Sequence, residues 1–391
     1  MIIDHYINKV CTQILYGELN LEVKGKKYYF QGQNEGPSVH LTVHKFSMLW
    51  DLYFRGSVGL GDAYIKGKFE ADDLSKFLEF GAMNERAFGG EMGGSKLYRY
   101  LSKSYMNKTQ NSLGQSKKNI HAHYDLGNDF YEEWLDDSLT YSSGFFKTGK
   151  ETLSQAQKNK FDSLIKGNEP QSGDHVLEIG SGWGSFAFYL ISKYPDITID
   201  TLTISQEQYD FVKSKIEENH LQGKLNVIFK DYREHQGEYS RIYSIEMFEA
   251  VGMQYWQIYF DKIKDLLKPS GVFSMQTIVI FEGLFEKYSQ KIDFIQKYIF
   301  PGGMLPTVKT LENIAIEKKL DFFVKNQMAD SYHQTLEMWR QNFNHKWDKI
   351  KNLGYSNEFK RMWNFYLSYC SGGFKAKTID VFQIDFTKNS N

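Results

Sequence analysis

Residues 176–190 read VLEIGSGWGSFAFYL, in which an apolar run leads through three alternating glycines into a helical pattern. The run predicts a buried strand, and the pattern after Gly184 predicts the helix that follows it. A glycine-rich turn between a first strand and its helix lets ligand atoms approach backbone that side chains would otherwise block. Glu178 stands at the end of the predicted strand, where a carboxylate can bind the amino group of a cofactor or order water near it. We therefore predict a cofactor site formed by Glu178, Gly180, Gly182 and Gly184.

The spacing of the glycines favours one class of cofactor. The dinucleotide fingerprint is GxGxxG with an acid about twenty residues further on. This chain has Ser185 at the position of the last glycine, and its second predicted strand ends without an acid. NAD is therefore disfavoured, whereas S-adenosylmethionine fits because it has no pyrophosphate that needs the close helix packing of a third glycine. A NAD-dependent oxidoreductase and a plain tight turn stay open as alternatives.

The composition of the chain excludes several classes of protein. Its 391 residues suffice for two domains, and its net charge of −1 provides no basic field for nucleic acid. No stretch approaches the roughly 18 apolar residues of a membrane span, and the N-terminus lacks the compact apolar core of a signal peptide. Cys11 and Cys370 cannot build a disulfide framework, and His123 has no second cluster of metal ligands. We predict a cytoplasmic protein that binds neither nucleic acid nor metal.

Changes in composition and hydrophobic pattern along the sequence predict three segments. Residues 1–90 combine period-2 runs with two helical patterns, which predicts short antiparallel strands in a small α+β domain. Residues 91–119 indicate a basic linker with one helix, whose positive charges either contact anionic lipid head groups or are simply solvated. Residues 120–391 alternate strand-like runs with helical patterns, and this βαβα rhythm predicts an α/β domain with a parallel sheet covered on both faces. The basic residues of the linker are Lys96, Arg99, Lys103, Lys108, Lys117 and Lys118.

Seven segments occur in an order that resembles the cyclopropane fatty acid synthases and the related mycolic acid cyclopropane synthases. The segments are HYDLGNDFYEEWLDDSLTYSSGFF, VLEIGSGWGSFAFYL, LTISQEQ, DYREHQGEYSRIYSIEMFEAVG, YIFPGGMLP, SYHQTLEMWRQNF and FYLSYCSGGFKAK. The similarity is strong over residues 120–385 and extends more weakly into the N-terminal part through GSVGLGDAYIKGKFEADDL. It implies a Rossmann-like S-adenosylmethionine-dependent methyltransferase sheet, preceded by an α+β domain of a lipid-binding kind.

The resemblance also implies an activity. Members of this family transfer a methylene group from S-adenosylmethionine to the cis double bond of an acyl chain in a membrane phospholipid. The carbocation that forms loses a proton to a bound bicarbonate, and a cyclopropane ring closes. The expected partners are the phospholipid membrane surface, which the protein contacts peripherally at its inner face, and a second copy of the chain in a homodimer.

Individual roles follow from the same resemblance. The methionine end of the cofactor would lie against Tyr141 and Ser142, the ribose against Thr203 and Gln208, and the adenine against Asp231, Tyr232 and Arg233. Bicarbonate would be held by Glu249, Tyr332, Ser143, Gln276 and the backbone of Ile278. Cys370 matches a family cysteine, although a single thiol on a helix is usually a packing residue.

Two positions depart from the family pattern. Ser143 stands where the family commonly has cysteine, and Gln276 stands where it commonly has histidine. Both replacements donate hydrogen bonds, but neither takes up a positive charge as histidine does. The departures keep open a lipid C-methyltransferase that leaves a methylene or methyl branch. A lipid-binding protein with a vestigial methyltransferase half is a separate alternative, against which the intact glycine turn and Glu249 argue.

Overall fold

The computed structural model describes residues 4, 7–8, 11–85, 95–116, 119 and 126–388, so His123, Lys117 and Lys118 lie outside the described residues. The chain forms two compact units. Unit one comprises Met1–Lys108, Glu286–Ile299 and Leu336–Ile379, and unit two comprises Thr109–Phe285, Phe300–Thr335 and Asp380–Asn391. Both units are therefore discontinuous in sequence, unlike the predicted segments, and the role of each unit stays a prediction.

The elements are given in chain order. The strands are Tyr16–Val23 (β1), Lys26–Gln31 (β2), Asn34–Val43 (β3), Phe69–Ala71 (β4), His175–Ile179 (β5), Thr198–Thr203 (β6), Leu225–Phe229 (β7), Tyr239–Ile245 (β8), Leu267–Ile280 (β9), Leu320–Gln327 (β10) and Ile379–Lys388 (β11). The helices are Ser47–Ile65 (α1), Leu74–Asn84 (α2), Lys96–Lys108 (α3), Asn128–Glu132 (α4), Leu153–Ile165 (α5), Ser185–Lys193 (α6), Gln206–Glu218 (α7), Trp256–Leu266 (α8), Glu282–Tyr288 (α9), Phe294–Tyr298 (α10), Val308–Lys318 (α11), Ala329–His345 (α12), Trp347–Asn352 (α13) and Asn357–Lys375 (α14). In the described part of the chain, no helix combines the length and the apolar character that crossing a membrane requires.

Unit two is built on a seven-stranded sheet in the order β10-β11-β9-β8-β5-β6-β7. Strands β5 to β9 run parallel, as the sequence predicts, and β10 pairs with β11 in antiparallel fashion, which the βαβα rhythm did not predict. Strand β5 has β6 on one side and β8 on the other, so the winding reverses there. In open α/β sheets, ligands bind outside the carboxyl ends of the strands at such a reversal. The predicted α/β fold class is confirmed.

Helices cover both faces of this sheet. On one face, Phe186 and Leu190 of α6 pack with Phe161 of α5 and Tyr243 of β8 in one buried cluster. Tyr243 pairs with Ser274 across the parallel ladder, so Phe273, the next residue along β9, points to the opposite face. There Phe273 contacts the ring of Phe260 in α8 at a centroid distance of 6.2 Å.

Unit one contains a four-stranded sheet in the order β2-β1-β3-β4. Strand β1 pairs with β2 in antiparallel fashion and with β3 in parallel fashion. The alternating runs predicted these strands but not the parallel pairing. Asp73 caps α2, because its carboxylate accepts a hydrogen bond from the Lys76 N–H at 3.1 Å.

A buried amide joins this sheet to helix α2. Asn84 is fully buried, and its Oδ1 accepts hydrogen bonds from the Leu15 and Tyr16 N–H groups at 2.9 and 3.0 Å. Its Nδ2 donates to the Tyr16 and Phe80 carbonyls at 3.0 and 2.9 Å. One side chain therefore satisfies four backbone groups at the start of β1 and the end of α2.

We predict that Asn84→Ala destabilises unit one. The change leaves the N–H groups of Leu15 and Tyr16 without their acceptor, and each such group that water does not reach costs about 1–3 kcal/mol. Amide hydrogen exchange at residues 15 and 16 should accelerate, and the urea midpoint should fall. Asn352→Ala, at an exposed position, is the control. Unchanged exchange at both amides would show that Asn84 does not stabilise the start of β1.

Candidate active site

The glycine turn after β5 is held by the neighbouring strand. The N–H groups of Gly180 and Ser181 both donate to the Leu202 carbonyl, at 3.1 and 2.8 Å. Gly180 and Gly182 have φ angles of +96° and +51°, in the region that other L residues rarely adopt. A Cβ added to Gly182 would meet no atom within 4 Å, so open space lies against bare backbone. This cradle fits a cofactor that approaches the main chain.

Glu178 lies inside β5 and is 2% exposed. One carboxylate oxygen accepts a hydrogen bond from Thr201 Oγ1 on β6 at 2.6 Å. Burial raises the pKa of Glu178 to about 8, because the charged form loses its hydration. An amino group of a ligand near this carboxylate would favour its charged form.

The predicted ribose residues contact each other. Thr203 Oγ1 at the end of β6 donates to Gln208 Oε1 at 2.9 Å, and it accepts from the Ser205 N–H at 3.1 Å. Ser205 in turn caps α7 by accepting from the Gln208 N–H at 3.3 Å. The structure therefore brings Thr203 and Gln208 together next to the glycine turn, whose Leu202 acceptor is the preceding residue.

The predicted adenine residues follow β7. Asp231 and Arg233 form an ion pair at 2.6 Å, and the guanidinium also donates to the Asn111 carbonyl at 2.9 Å. The Tyr232 ring packs edge-on against Tyr259 at 5.0 Å. The carboxylate of Asp231 is thus engaged by Arg233, and a contact of these residues with adenine stays a prediction.

Aromatic rings form a wall beside the glycine turn. Tyr141 packs against Tyr131 and Trp134, with centroids 5.5 and 5.6 Å away, and its ring lies 6.5 Å from Phe300. Tyr131 also contacts Trp183 at 4.8 Å, and Trp183 lies within the turn itself. The rings therefore extend from the predicted methionine side of the cofactor to the backbone of the turn.

Ser142 has a partner that the sequence analysis missed. Its Oγ accepts a hydrogen bond at 2.6 Å from the Nζ of Lys160, a fully buried residue of α5. Burial lowers the pKa of Lys160 to about 7, while the charges of Glu246, Asp136 and Glu178 oppose the change. A lysine among apolar residues of a helix is a signal in the sequence, but the pattern alone does not show that it faces Ser142.

Glu249 carries an unsatisfied acceptor. Its Oε1 accepts hydrogen bonds from the Ile278 N–H at 2.5 Å and from Thr277 Oγ1 at 3.0 Å. Its Oε2 is buried and has no hydrogen-bond partner within the described part of the chain. Burial raises the pKa of Glu249 to about 8, and the neighbouring charge of Glu246 adds to the rise.

Glu246 is the acid at the centre of the other predicted anion ligands. Its Oε1 accepts hydrogen bonds from the Ser143 N–H at 2.9 Å and from Gln276 Nε2 at 2.7 Å. Its Oε2 accepts the Tyr332 hydroxyl at 2.5 Å. Burial raises the pKa of Glu246, and the Tyr332 hydrogen bond and the charge of Lys160 limit the rise.

The groups that meet at Glu246 differ in part from those predicted. Ser143 contributes its backbone N–H, since its hydroxyl donates to the Gly144 carbonyl at 2.8 Å. Gln276 is fully buried, and its Oε1 accepts from Gln383 Nε2 at 3.0 Å, which turns its own Nε2 toward Glu246. Cys370 belongs to unit one, on α14. An acid directly after a buried strand was the available signal for Glu246 in the segment SIEMFEA.

The acids and the glycine turn lie at the same edge of the sheet. A Cβ added to Gly180 would lie 3.0 Å from Met247 Cγ. Met247 follows Glu246 directly and precedes Glu249 by two positions, at the carboxyl end of β8. The arrangement therefore combines a backbone cradle, an aromatic wall and two carboxylates.

We predict that Gly182→Val abolishes S-adenosylmethionine binding in a protein that still folds, because the side chain fills the open space of the cradle. Gly173→Val is the matched control, since Gly173 also has positive φ (+83°) and no atom within 4 Å of an added Cβ. The two variants carry similar backbone strain, so calorimetric titration isolates the loss of ligand space. Equal affinity in both would refute the placement of the cofactor.

Comparisons with known proteins identify the family of the chain. A family model described as mycolic acid cyclopropane synthetase matches residues 111–384. The chain is 33% identical over 344 residues to the cyclopropane-fatty-acyl-phospholipid synthase of Escherichia coli (strain K12), which covers 85% of this chain and 84% of that protein. It is 31% identical over 340 residues to the tuberculostearic acid methyltransferase of Mycobacterium tuberculosis, covering 84% and 78% respectively.

A solved structure of a mycolic acid cyclopropane synthase complexed with SAH and CTAB superposes with a TM-score of 0.65 at 28% identity. The match covers 70% of this chain and 98% of that one. The sheet, the glycine cradle and these likenesses lead to one conclusion: the chain belongs to the mycolic acid cyclopropane synthetase family and is an S-adenosylmethionine-dependent methyltransferase.

Proposed function

We propose that the protein transfers a methylene group from S-adenosylmethionine to the cis double bond of an unsaturated acyl chain in a membrane phospholipid, forming a cyclopropane ring. The observation that carries the proposal is the pair of carboxylates, Glu246 and Glu249, beside the glycine turn and at the carboxyl end of β8. Ring closure requires a proton acceptor, and burial raises the pKa values of both Glu246 and Glu249. The name of the Escherichia coli relative supports the same reaction.

The chemistry explains the other parts of the site. S-adenosylmethionine supplies an electrophilic methyl group, and an alkene is a weak nucleophile toward it. Alignment of the two therefore has to provide much of the acceleration, and orientation contributes up to about 7–11 kcal/mol in favourable cases. The carbocation that follows is stabilised by the faces of aromatic rings at about 0.5–2 kcal/mol each. Tyr141 and Phe300, which are half-buried, are rings of this kind and carry no strong nucleophile that would trap the cation.

A bound bicarbonate does not fit this arrangement. The family resemblance assigns Ser143, Gln276 and Tyr332 to that anion, but these residues already donate to Glu246 through a backbone N–H, an amide Nε2 and a hydroxyl. A bicarbonate on the same donors would lie against a second negative charge in a buried site. We therefore derive no step through bicarbonate.

A lipid C-methyltransferase that leaves a methylene or methyl branch is the second candidate. It is favoured by the departures at Ser143 and Gln276 and by the name of the Mycobacterium tuberculosis relative. The ring and the methylene branch both add one CH2 to the lipid. In the ring, the electron pair of the broken methyl C–H bond forms a C–C bond to the cationic carbon; in the branch, a 1,2-hydride shift first moves the cation to the methylated carbon, and the pair then forms a double bond to that carbon. The products therefore have to be distinguished by structure rather than by mass.

The acyl chain stays in its phospholipid, so we propose peripheral contact with the inner face of the membrane. Helix α3 exposes Tyr100 (74%) and Leu101 (55%) beside the exposed basic residues Arg99 and Lys103. A basic segment with aromatic and aliphatic side chains binds anionic lipid surfaces by charge and by insertion of its apolar groups. We also propose, from the family resemblance, that the protein acts as a cytoplasmic homodimer.

Lipids from cells that express the protein test the reaction. We expect phospholipid acyl chains to gain one CH2 and NMR to show cyclopropane protons. Glu249→Gln should lower turnover at least about tenfold, because it removes one of the two acidic groups on which the proposal rests. Glu238→Gln, at an exposed position just before β8, should leave turnover unchanged. A branched product would establish the second candidate, and lipids without added CH2 would refute both.

Vesicle sedimentation tests the membrane contact. Binding to anionic phospholipid vesicles should weaken as salt rises, since each Lys or Arg near the surface contributes about 1 kcal/mol. Tyr100→Ser combined with Leu101→Ser should reduce binding further. Ile316→Ser, which changes a residue of unit two that is 69% exposed, is the control. Sedimentation that ignores salt and anionic lipid would contradict the electrostatic part of the proposal.

A further inference from the structure

We propose that Glu246 is the proton acceptor of the reaction, a carboxylate attached to the chain at the place where the family resemblance implies a free anion. The inference rests on the proposed function, because it names the group that takes the proton released during ring closure or branching.

The contacts come from three separate parts of unit two. Ser143 precedes α5, Gln276 lies on β9 and Tyr332 lies on α12, and each donates to the same carboxylate at 2.5–2.9 Å. Three donors and no acceptor constitute a site for an anion. The residue that carries this carboxylate is half-buried.

The backbone supports a functional role. Glu246 has a φ of +49°, although a residue with a Cβ is disfavoured in this region and glycine is the usual choice. Its N–H donates to the Gln276 carbonyl at 2.8 Å, which holds the conformation in place. Strained backbone of this kind clusters at active sites. A glutamate kept where glycine would be easier indicates that the carboxylate itself is needed.

The groups around Glu246 and Glu249 favour ionisation of Glu246 before Glu249. Glu246 accepts from three donors and also feels Lys160, whereas Glu249 accepts from two donors and its Oε2 has none among the described residues. When two carboxyl groups share a buried site, the better solvated one ionises first. Glu246 therefore carries the negative charge, and its raised pKa makes it a stronger base than an exposed glutamate.

The step balances in atoms and electrons. The π electrons of the alkene form a C–C bond to the methyl carbon, and the electrons of the broken C–S bond stay with sulfur, which becomes a neutral thioether. One C–H bond of the transferred methyl group then breaks. Its electron pair closes the ring on the cationic carbon, and its proton goes to a carboxylate oxygen of Glu246, which becomes a neutral acid and later releases the proton to water.

Two variants of Glu246 test the inference. Glu246→Gln keeps the size of the side chain but removes the base, so turnover should fall at least about tenfold while S-adenosylmethionine affinity is retained. Glu246→Gly suits the positive φ and leaves the three donors facing a space the size of a small anion. Its turnover should also fall, and sodium formate or bicarbonate should restore part of it. The same salts should not rescue Glu246→Gln, because the amide fills the space.

Wild-type protein provides the third test of the inference. Its turnover should not change when bicarbonate is removed by purging the buffer with CO2-free gas. A loss of wild-type turnover on purging, full activity of Glu246→Gln, or failure of both anions to rescue Glu246→Gly would each overturn the inference. Wild-type protein that adds no CH2 to lipid would instead refute the proposed function, so the two failures are distinguishable.

Discussion

Two backbone N–H groups meet on the carbonyl oxygen of Leu202, and the geometry of the site depends on this contact. Because of these two hydrogen bonds, the chain turns sharply across the end of β6 directly after β5. This turn requires the positive φ of Gly180. The turn then packs on Met247 at the end of β8. Because Glu246 and Glu249 flank Met247, one constraint sets the distance between the cofactor cradle and the acids.

The site also depends on buried charges that compensate one another. Glu178 on β5 and Glu246 after β8 both act on the pKa of Lys160, which lies beneath Ser142. In a medium of low dielectric an isolated charge is costly, so one lysine between two carboxylates lowers the cost of both. This coupling links the predicted cofactor side of the site to the acid side.

Local patterns predicted much of this structure. The βαβα rhythm indicated a parallel sheet, which strands β5 to β9 form, and the glycine spacing indicated the turn. The parallel pairing of β1 with β3, the antiparallel pair β10–β11 and the discontinuous units depend on contacts between distant residues, which no local pattern encodes. Local patterns are limited in the same way for the candidate active site. Transfer of roles residue by residue named Gln276 and Tyr332 but not the acid between them, since its role is visible only where their donors converge.

The departures at Ser143 and Gln276 have a common physical explanation once Glu246 is included. A free anion loses translational and rotational freedom when it binds, and a cationic donor such as histidine helps to offset that cost. A carboxylate attached to the backbone has already lost most of this freedom, so neutral donors suffice to hold it. Gln276 provides such a donor in an orientation fixed by Gln383, and Ser143 provides a backbone N–H that does not depend on its side chain. Substitutions that weaken a site for a diffusible anion are thus compatible with a site whose anion is part of the chain.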